Sequence, residues 1–472
     1  MDADSTMPQS QCNITVIVWT GWALLTAALA TYVWYYGLPM PFADEFSMVS
    51  TATADGDMPL GWYWESHNDH RHTLQRFSYV AAGKLTGFDF RRMALANVVY
   101  LSLAAAILQV VAARAAGGAR LAHLAIPALL LHLGHQVNLT WAFQMNLTLY
   151  ALCAVCLLAL IVSTPRRLSP AKGALAALCA VLLAMTGTFG VVYLPFAALW
   201  LIYAGWLRCR IPDDRATAAG VVLIVLGVAL FAVCGAYAYW FPKVEKQLLS
   251  PSFSDTLTGA INLATVGLGP VGGSTRWISS PAICGASAVG LYYLFRAWRG
   301  RAPKSAAGDD RLAAVGLALF WCAGIALVAA IAIGRAGQGA TMQTRYALLS
   351  VPLLLCLLLM CLRYVPLPNS RGLGIGLTAV LVVAIGANEK RGLRDGRTRY
   401  AWMTEIAVAA QAQTPYAELG RRYAAQLQCP PDQLAKYLEQ LYAAQLGPYR
   451  DVPDYATADA NGRLAPAVGL RR

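Results

Sequence analysis

The feature that most constrains this chain is a series of apolar runs, many of them near the roughly 20 residues an α-helix needs to cross a bilayer. Eleven can be marked: 14–38, 93–113, 121–134, 143–163, 173–186, 189–207, 217–239, 281–298, 312–333, 346–362 and 373–387. The third, fifth, sixth, tenth and eleventh are short, and Gly187 and Gly190 mark a tight turn between the fifth and sixth. Broken or short spans are tolerated only where neighbouring helices cover them. The composition agrees. Of 472 residues, 58% are hydrophobic and 13% charged, against about 25% charged in a soluble domain. The expected fold class is therefore all-α: a polytopic membrane protein with about eleven transmembrane helices.

The net charge of +13 is a topology signal rather than a nucleic-acid signal, because the basic residues sit in short loops between apolar runs. Loops after the even-numbered spans hold fifteen Lys and Arg; the opposite side holds ten, five of them in the long segment 39–92. The positive-inside rule then predicts a cytoplasmic N-terminus and an extracytoplasmic C-terminus. No Lys or Arg precedes the first run, so it is expected to be a retained span and not a cleaved signal peptide. The 11 Cys form no CxxC pair and lie mostly within apolar runs, which points to neither a disulfide framework nor a zinc site.

Four segments on the predicted outer side carry nearly all the unusual polar chemistry: 39–92, 134–146, 240–280 and 334–346. Their convergence could build one concave site. In the first, Pro39 and Pro41 stop the helix, and Asp44 and Glu45 follow. Paired acids in a partly dry site raise each other's pKa, so that one can act as a general base; a solvated acid pair is the plainer alternative. Further on, Glu65, His67, Asn68, Asp69, His70, Arg71 and His72 form a dense polar cluster holding three of the chain's six His. Asn68 or Asp69 can cap a helix from about His70 to Leu85, with Leu74, Phe77, Ala81 and Leu85 on its bilayer side. That helix start, with Arg71 beside it, suits a phosphate. Metal binding through His and Asp is a weaker alternative, since no recognised ligand spacing supports it.

Arg335 and Arg345 flank a Gly-rich loop, and Tyr346 follows. Arg favours bidentate phosphate or carboxylate partners, so the three suit an anion site; headgroup snorkelling is the ordinary alternative. Gln136, Asn138, Gln144 and Asn146 either line a cavity or bond between helices. Trp62, Tyr63, Trp64, Trp141 and Trp240 fit an interfacial aromatic belt. Segment 388–472 reads as a small outer helical domain, with helices near 401–413, 415–428 and 431–445 separated by Pro415 and Pro430–Pro431. It either covers the site or simply stabilises the membrane module 1–387.

In this order, these pieces resemble the GT-C superfamily of membrane glycosyltransferases, whose lipid A aminoarabinose transferases and protein mannosyltransferases share the layout. The sharpest matching motif is Asp44–Glu45 at the opening of a large first outer loop. The resemblance implies an enzyme of the bacterial inner membrane that takes a hexosyl or pentosyl unit from a polyprenyl-phosphate-linked donor. The acceptor is a cell-envelope glycan, glycolipid or protein, and transfer inverts the anomeric centre. Asp44 becomes the base, and Arg335, Arg345, Tyr346 or Arg71 holds the donor phosphate. Glu45 binds the acceptor, tunes Asp44 or helps hold a divalent cation if one is used. Two other readings compete: an O-antigen polymerase or ligase, and a lipid or glycolipid flippase. The absence of repeated halves disfavours transport.

Overall fold

The computed structural model describes residues 9–54, 57–67, 70–164, 166–240, 249–300, 310–335, 344–366, 370–412 and 414–450. Its longer helices are α1 (Gln9–Tyr36), α2 (Thr73–Thr86), α3 (Phe90–Ala115), α4 (Met145–Val162), α5 (Pro170–Ala184), α6 (Leu194–Cys209), α7 (Asp214–Tyr239), α8 (Phe253–Val266), α9 (Arg276–Trp298), α10 (Arg311–Arg335), α11 (Ala347–Tyr364), α12 (Ser370–Gln411), α13 (Tyr416–Leu427) and α14 (Pro431–Ala443). Among the described residues the only extended pairing is an isolated bridge between His67 and His70, so the chain is all-α. Among the described residues eight helical segments are long and apolar enough to cross a membrane: those at α1, α3, α4, α7, α9, α10 and α11, and Thr188–Cys209, which ends in α6. At 15 residues, α5 is shorter.

Local signals explain several boundaries. Ser169 caps α5 by accepting from Lys172 N, with Pro170 in the first turn. Asp213 caps α7 and Asp89 caps α3 in the same way. Along α7, Val221, Val225 and Val228 are exposed, as expected of a face turned to lipid. Its other face meets α6 at Gly205 and Gly220, where an added Cβ would collide with backbone of the facing helix; small residues allow that approach.

The expected span 121–134 takes a different form. The chain makes a turn at Leu121–Leu124, a six-residue helix at Ala125–Leu130, and further short turns at Leu133–His135, Gln136–Thr140 and Ala142–Gln144 before α4 begins. Leu131 leaves helical geometry, and His132 is extended with its side chain accepting from Gly134 N. A second break, at 185–193, separates α5 from α6. Their peptide groups find partners in the first loop and its neighbours. Gln75 Nε2 donates to Phe143 O at 2.7 Å, Asn97 Nδ2 to Trp141 O at 3.1 Å, Leu38 N to Thr140 O at 3.3 Å and Leu74 N to Met185 O at 3.0 Å. Irregular backbone at membrane depth survives only when buried and paired like this.

The helix proposed to start near His70 begins instead at Thr73, and His72 stands at its N-cap without a capping side-chain bond. Of the four apolar residues expected on its bilayer side, Phe77, Ala81 and Leu85 are exposed on α2, whereas Leu74 is half-buried against the core. The division at residues 387 and 388 falls inside α12, which runs unbroken over 42 residues. Pro415 and Pro430 do set the starts of α13 and α14. This C-terminal part rests on α1 and the first loop: Tyr32 Oη donates to Gly392 O at 2.9 Å, Tyr437 stacks on Phe46 with centroids 5.8 Å apart, and Arg450 pairs with Asp89 at 3.2 Å.

At the end of the bundle away from the first loop, Arg363 ties three helices together. Its Nη2 and Nε meet Asp310 at 2.9 and 3.2 Å, and its Nη1 donates to Val162 O at 2.7 Å. Both side chains are mostly buried. Arg363→Met leaves a carboxylate and a carbonyl unpaired and is expected to cost about 2–4 kcal/mol, read as a lower thermal unfolding temperature in detergent. An unchanged temperature would show that the pair does not hold this end.

Candidate functional site

Directly after α1, Pro39 and Pro41 release the chain, and Ala43 adopts a left-handed backbone with φ 48°, uncommon for a residue with a Cβ. Here the chain turns into the 3₁₀ turn Ala43–Met48, and the two carboxyls that follow part company. Asp44 is partly exposed and lines a cavity of about 380 Å³, within the range of small-molecule sites. Glu45 is 1% exposed, does not line the cavity, and accepts from Tyr79 Oη at 3.2 Å.

Their acidities diverge accordingly. Burial pushes the Glu45 carboxyl up to about 8, and the Tyr79 hydrogen bond offsets this only in part. Asp44 goes the other way: the His67 ring beside it holds it below the usual carboxylate range against desolvation, with help from Arg345 and His72. His67 Nε2 stands 3.9 Å from Asp44 Oδ1, an ion-pair distance too long for a hydrogen bond. The expectation that the two acids raise each other's pKa therefore fails, because they face different surroundings. Near neutral pH Asp44 is ionised and Glu45 largely protonated. Adjacent carboxyls with opposite charge states are a recurrent basis for dividing chemical roles.

The histidines reach the cavity through a folded-back segment. His67 and His70 exchange backbone hydrogen bonds of 2.8 and 3.0 Å. His70 Nδ1 bonds Thr188 Oγ1, and His72 Nδ1 donates to Thr186 O at 3.1 Å, which leaves Nε2 as the unprotonated nitrogen. Burial, and then the neighbouring His70, bring the His72 imidazole down to about 3, so it is neutral. All three His line the cavity. Among the described residues no three His, Cys, Asp or Glu stand where they could hold one metal ion together.

Farther along the chain, α10 ends at Arg335 and the turn Thr344–Tyr346 precedes α11. Arg335, Arg345 and Tyr346 all line the cavity. Asn138, fully buried, donates to Arg345 O at 3.0 Å; the Arg345 guanidinium lies 5.3 Å from the Tyr346 ring centroid, and its buried Nε has no partner. Below them, Tyr150 Oη donates to Leu349 O at 3.2 Å and lies 3.0 Å from Tyr193 Oη, tying α4 to α11 and to the start of α6.

Not every expected site residue arrives here. Arg71 does not line the cavity; its Nη1 donates to Trp64 O at 2.9 Å. Glu65 is exposed outside it, and Asn68 and Asp69 lie outside the described residues. Gln144 and Asn146 line the cavity, whereas Gln136 and Asn138 do not. Sequence reasoning missed Phe143, Thr188 and Phe189, which also line it. The glycine-bounded break Gly187–Gly190 was the available signal for the last two.

No family model matches this chain, and no curated protein matches it. Among solved structures, it is similar to the crystal structure of ArnT from Cupriavidus metallidurans bound to undecaprenyl phosphate, at 19% identity and a TM-score of 0.43, over 90% of this chain and 76% of that one. The apo structure of the same protein gives 18% identity and a TM-score of 0.43, over 90% of this chain and 75% of that one.

The displaced acidity of Glu45 has a sign. Its folded pKa lies above its unfolded one, so its contribution to stability is complete below the ordinary carboxylate pKa and is lost as pH rises through about 8. Glu45→Gln keeps the shape without the ionisation. Its melting temperature in detergent is expected to fall less than that of the unaltered protein between pH 5 and pH 9. Parallel curves would mean that Glu45 is not held protonated.

Proposed function

We propose that this protein is a membrane glycosyltransferase that moves a sugar from a polyprenyl-phosphate-linked donor to an acceptor hydroxyl. The observation that carries the reading is one cavity lined by an ionised carboxylate, Asp44, and by two guanidinium groups, Arg335 and Arg345. A proton acceptor and an anion seat in one space of small-molecule size are what displacement of a phosphate from a sugar requires.

In this reading, Asp44 takes the proton from the acceptor hydroxyl as its oxygen attacks the anomeric carbon. A new C–O bond forms, the bond from that carbon to the phosphate oxygen breaks, and polyprenyl phosphate leaves with the electron pair. Direct displacement inverts the anomeric centre. Arg335 and Arg345 hold the charge that develops on the phosphate, and preorganised charge of this kind is a large catalytic term. Tyr346 adds a hydroxyl donor. His67 orients Asp44, and the neutral, buried Glu45 anchors the turn that aims it. Arg71, committed to Trp64 O, has no part in this scheme. The basic-loop bias supports a cavity on the extracytoplasmic face, a cytoplasmic N-terminus and an outer C-terminal domain; a bacterial inner membrane is the proposed setting. The apolar side of the cavity, including Leu327, Ile331 and Val192, suits the first units of the carrier chain.

Asp44→Asn is expected to lower transfer by about 10²–10⁴-fold with expression and membrane insertion unchanged. The measurement is mass analysis of envelope glycans and glycolipids in a strain lacking the protein, complemented with either form. Normal transfer by Asp44→Asn removes Asp44 as base. Loss of long polymer ladders with intact single repeat units would favour a polymerase instead. Arg345→Gln is expected to cost about 10²–10³-fold in kcat; a change in KM alone would make Arg345 a binding group without a role in the displacement.

A further inference from the structure

Away from the cavity, the stretch of α12 around residues 390–397 carries two unlike faces. Gly392 and Gly396 turn inward: an added Cβ would collide with Leu133 O at the first and with the Tyr32 hydroxyl at the second. At 3.6 residues per turn, Lys390 and Arg394 stand nearly opposite these glycines, with Arg391 and Arg397 flanking, and all four are exposed. Their charge is in surplus. Asp395 meets Arg394 at 3.2 Å and Arg391 at 3.7 Å, whereas Glu389 accepts from Leu133 N at 2.9 Å. The face also has a definite depth. The membrane-spanning α1 ends at Tyr36; Tyr32 Oη donates to Gly392 O at 2.9 Å, and Arg397 Nε donates to Tyr36 Oη at 3.4 Å. The stretch thus runs alongside the last turns of a span, where Trp34 and Tyr35 are 52% and 64% exposed, as an interfacial aromatic belt requires. Its rise of about 10 Å is close to the depth of a headgroup layer. The carbonyl just past α1 does not call for these cations, because Arg91 Nε already donates to Gly37 O at 3.3 Å.

We infer that the Lys390, Arg391, Arg394 and Arg397 face of α12 is a docking surface for phospholipids whose headgroup carries a net negative charge. Guanidinium groups pair bidentately with phosphodiester oxygens, and basic residues beside a span attract anionic headgroups. Four cations against one carboxylate leave charge that a zwitterionic headgroup, which brings its own cation, does not neutralise. Trp34 and Tyr35 offer apolar rings at the same level for the start of the acyl chains. This surface is separate from the cavity and holds whichever reaction the cavity performs.

The test is native mass spectrometry of the delipidated full chain in neutral detergent. The probes are phosphatidylglycerol and phosphatidylcholine with the same acyl chains, and soluble glycerol 3-phosphate. The unaltered protein is expected to hold its first phosphatidylglycerol about tenfold or more tighter than phosphatidylcholine, with the advantage shrinking as salt rises. Lys390→Gln, Arg394→Gln and Arg397→Gln together should remove that advantage without lowering the thermal unfolding temperature. Should this triple variant unfold, Lys390→Gln with Arg394→Gln, which leaves the Arg397 contact to Tyr36 in place, carries the same comparison. Lys390→Arg, Arg394→Lys and Arg397→Lys keep the charge and should keep the preference. Arg210→Gln with Arg299→Gln, at the ends of α6 and α9, should keep it too. Equal binding of the two lipids by the unaltered protein overturns the surface, as does a preference that survives neutralisation of the α12 face or is lost in the Arg210 and Arg299 variant. Glycerol 3-phosphate binding as tightly as phosphatidylglycerol overturns it in favour of a seat for a small free anion.

Discussion

A peptide group placed in hydrocarbon must find a hydrogen-bond partner within the protein, and this chain breaks its helices twice where the cavity lies. The breaks at 131–144 and 185–193 expose carbonyls and amides that no regular helix can satisfy. Some are met by Leu38, Asn97 and Glu389, and others by the segment that carries the histidines. His72, Leu74 and Gln75 bond to Thr186, Met185 and Phe143, so one short stretch reaches both breaks. The same bonds fix His67, His70 and His72 against the cavity wall. Closing the membrane-depth backbone and building the site are in this sense one structural event.

That arrangement also sorts the two adjacent acids. The turn with Ala43 in a left-handed conformation sends Glu45 under Tyr79 and Asp44 toward His67 and Arg345. Neighbours in sequence thereby occupy media of different polarity, and a single pH finds one charged and the other neutral. The cavity lining thus brings one carboxylate, Asp44, together with two guanidinium groups, Arg335 and Arg345, beside the neutral His72.

The C-terminal helices bear on the same region from outside. Because α12 runs unbroken from its apolar to its polar half, α13 and α14 are held by a continuous helix rather than a linker. Phe46, one residue beyond Glu45, stacks on Tyr437, and Phe42 lies against Trp402 at 6.0 Å. Residues on both sides of the acid pair are thus packed against the tail.

Much of this was open to reading in the residues. Apolar run length set the helical membrane class, because burying a backbone in lipid leaves few alternatives. Pro415 and Pro430 marked helix starts through their missing N–H groups. The segments holding Asp44, His67, His70, His72, Arg335, Arg345 and Tyr346 were identifiable from their concentration of polar groups between apolar runs. What only the tertiary structure decided was direction and environment. It turned Arg71 to Trp64 and away from the cavity, buried Glu45, broke the third apolar run into short pieces, and brought Thr188 to His70 across more than a hundred residues. Periodicity and composition describe a residue's own stretch of chain. A side chain's partner, and so its charge, depends on which distant backbone group still needs a hydrogen bond.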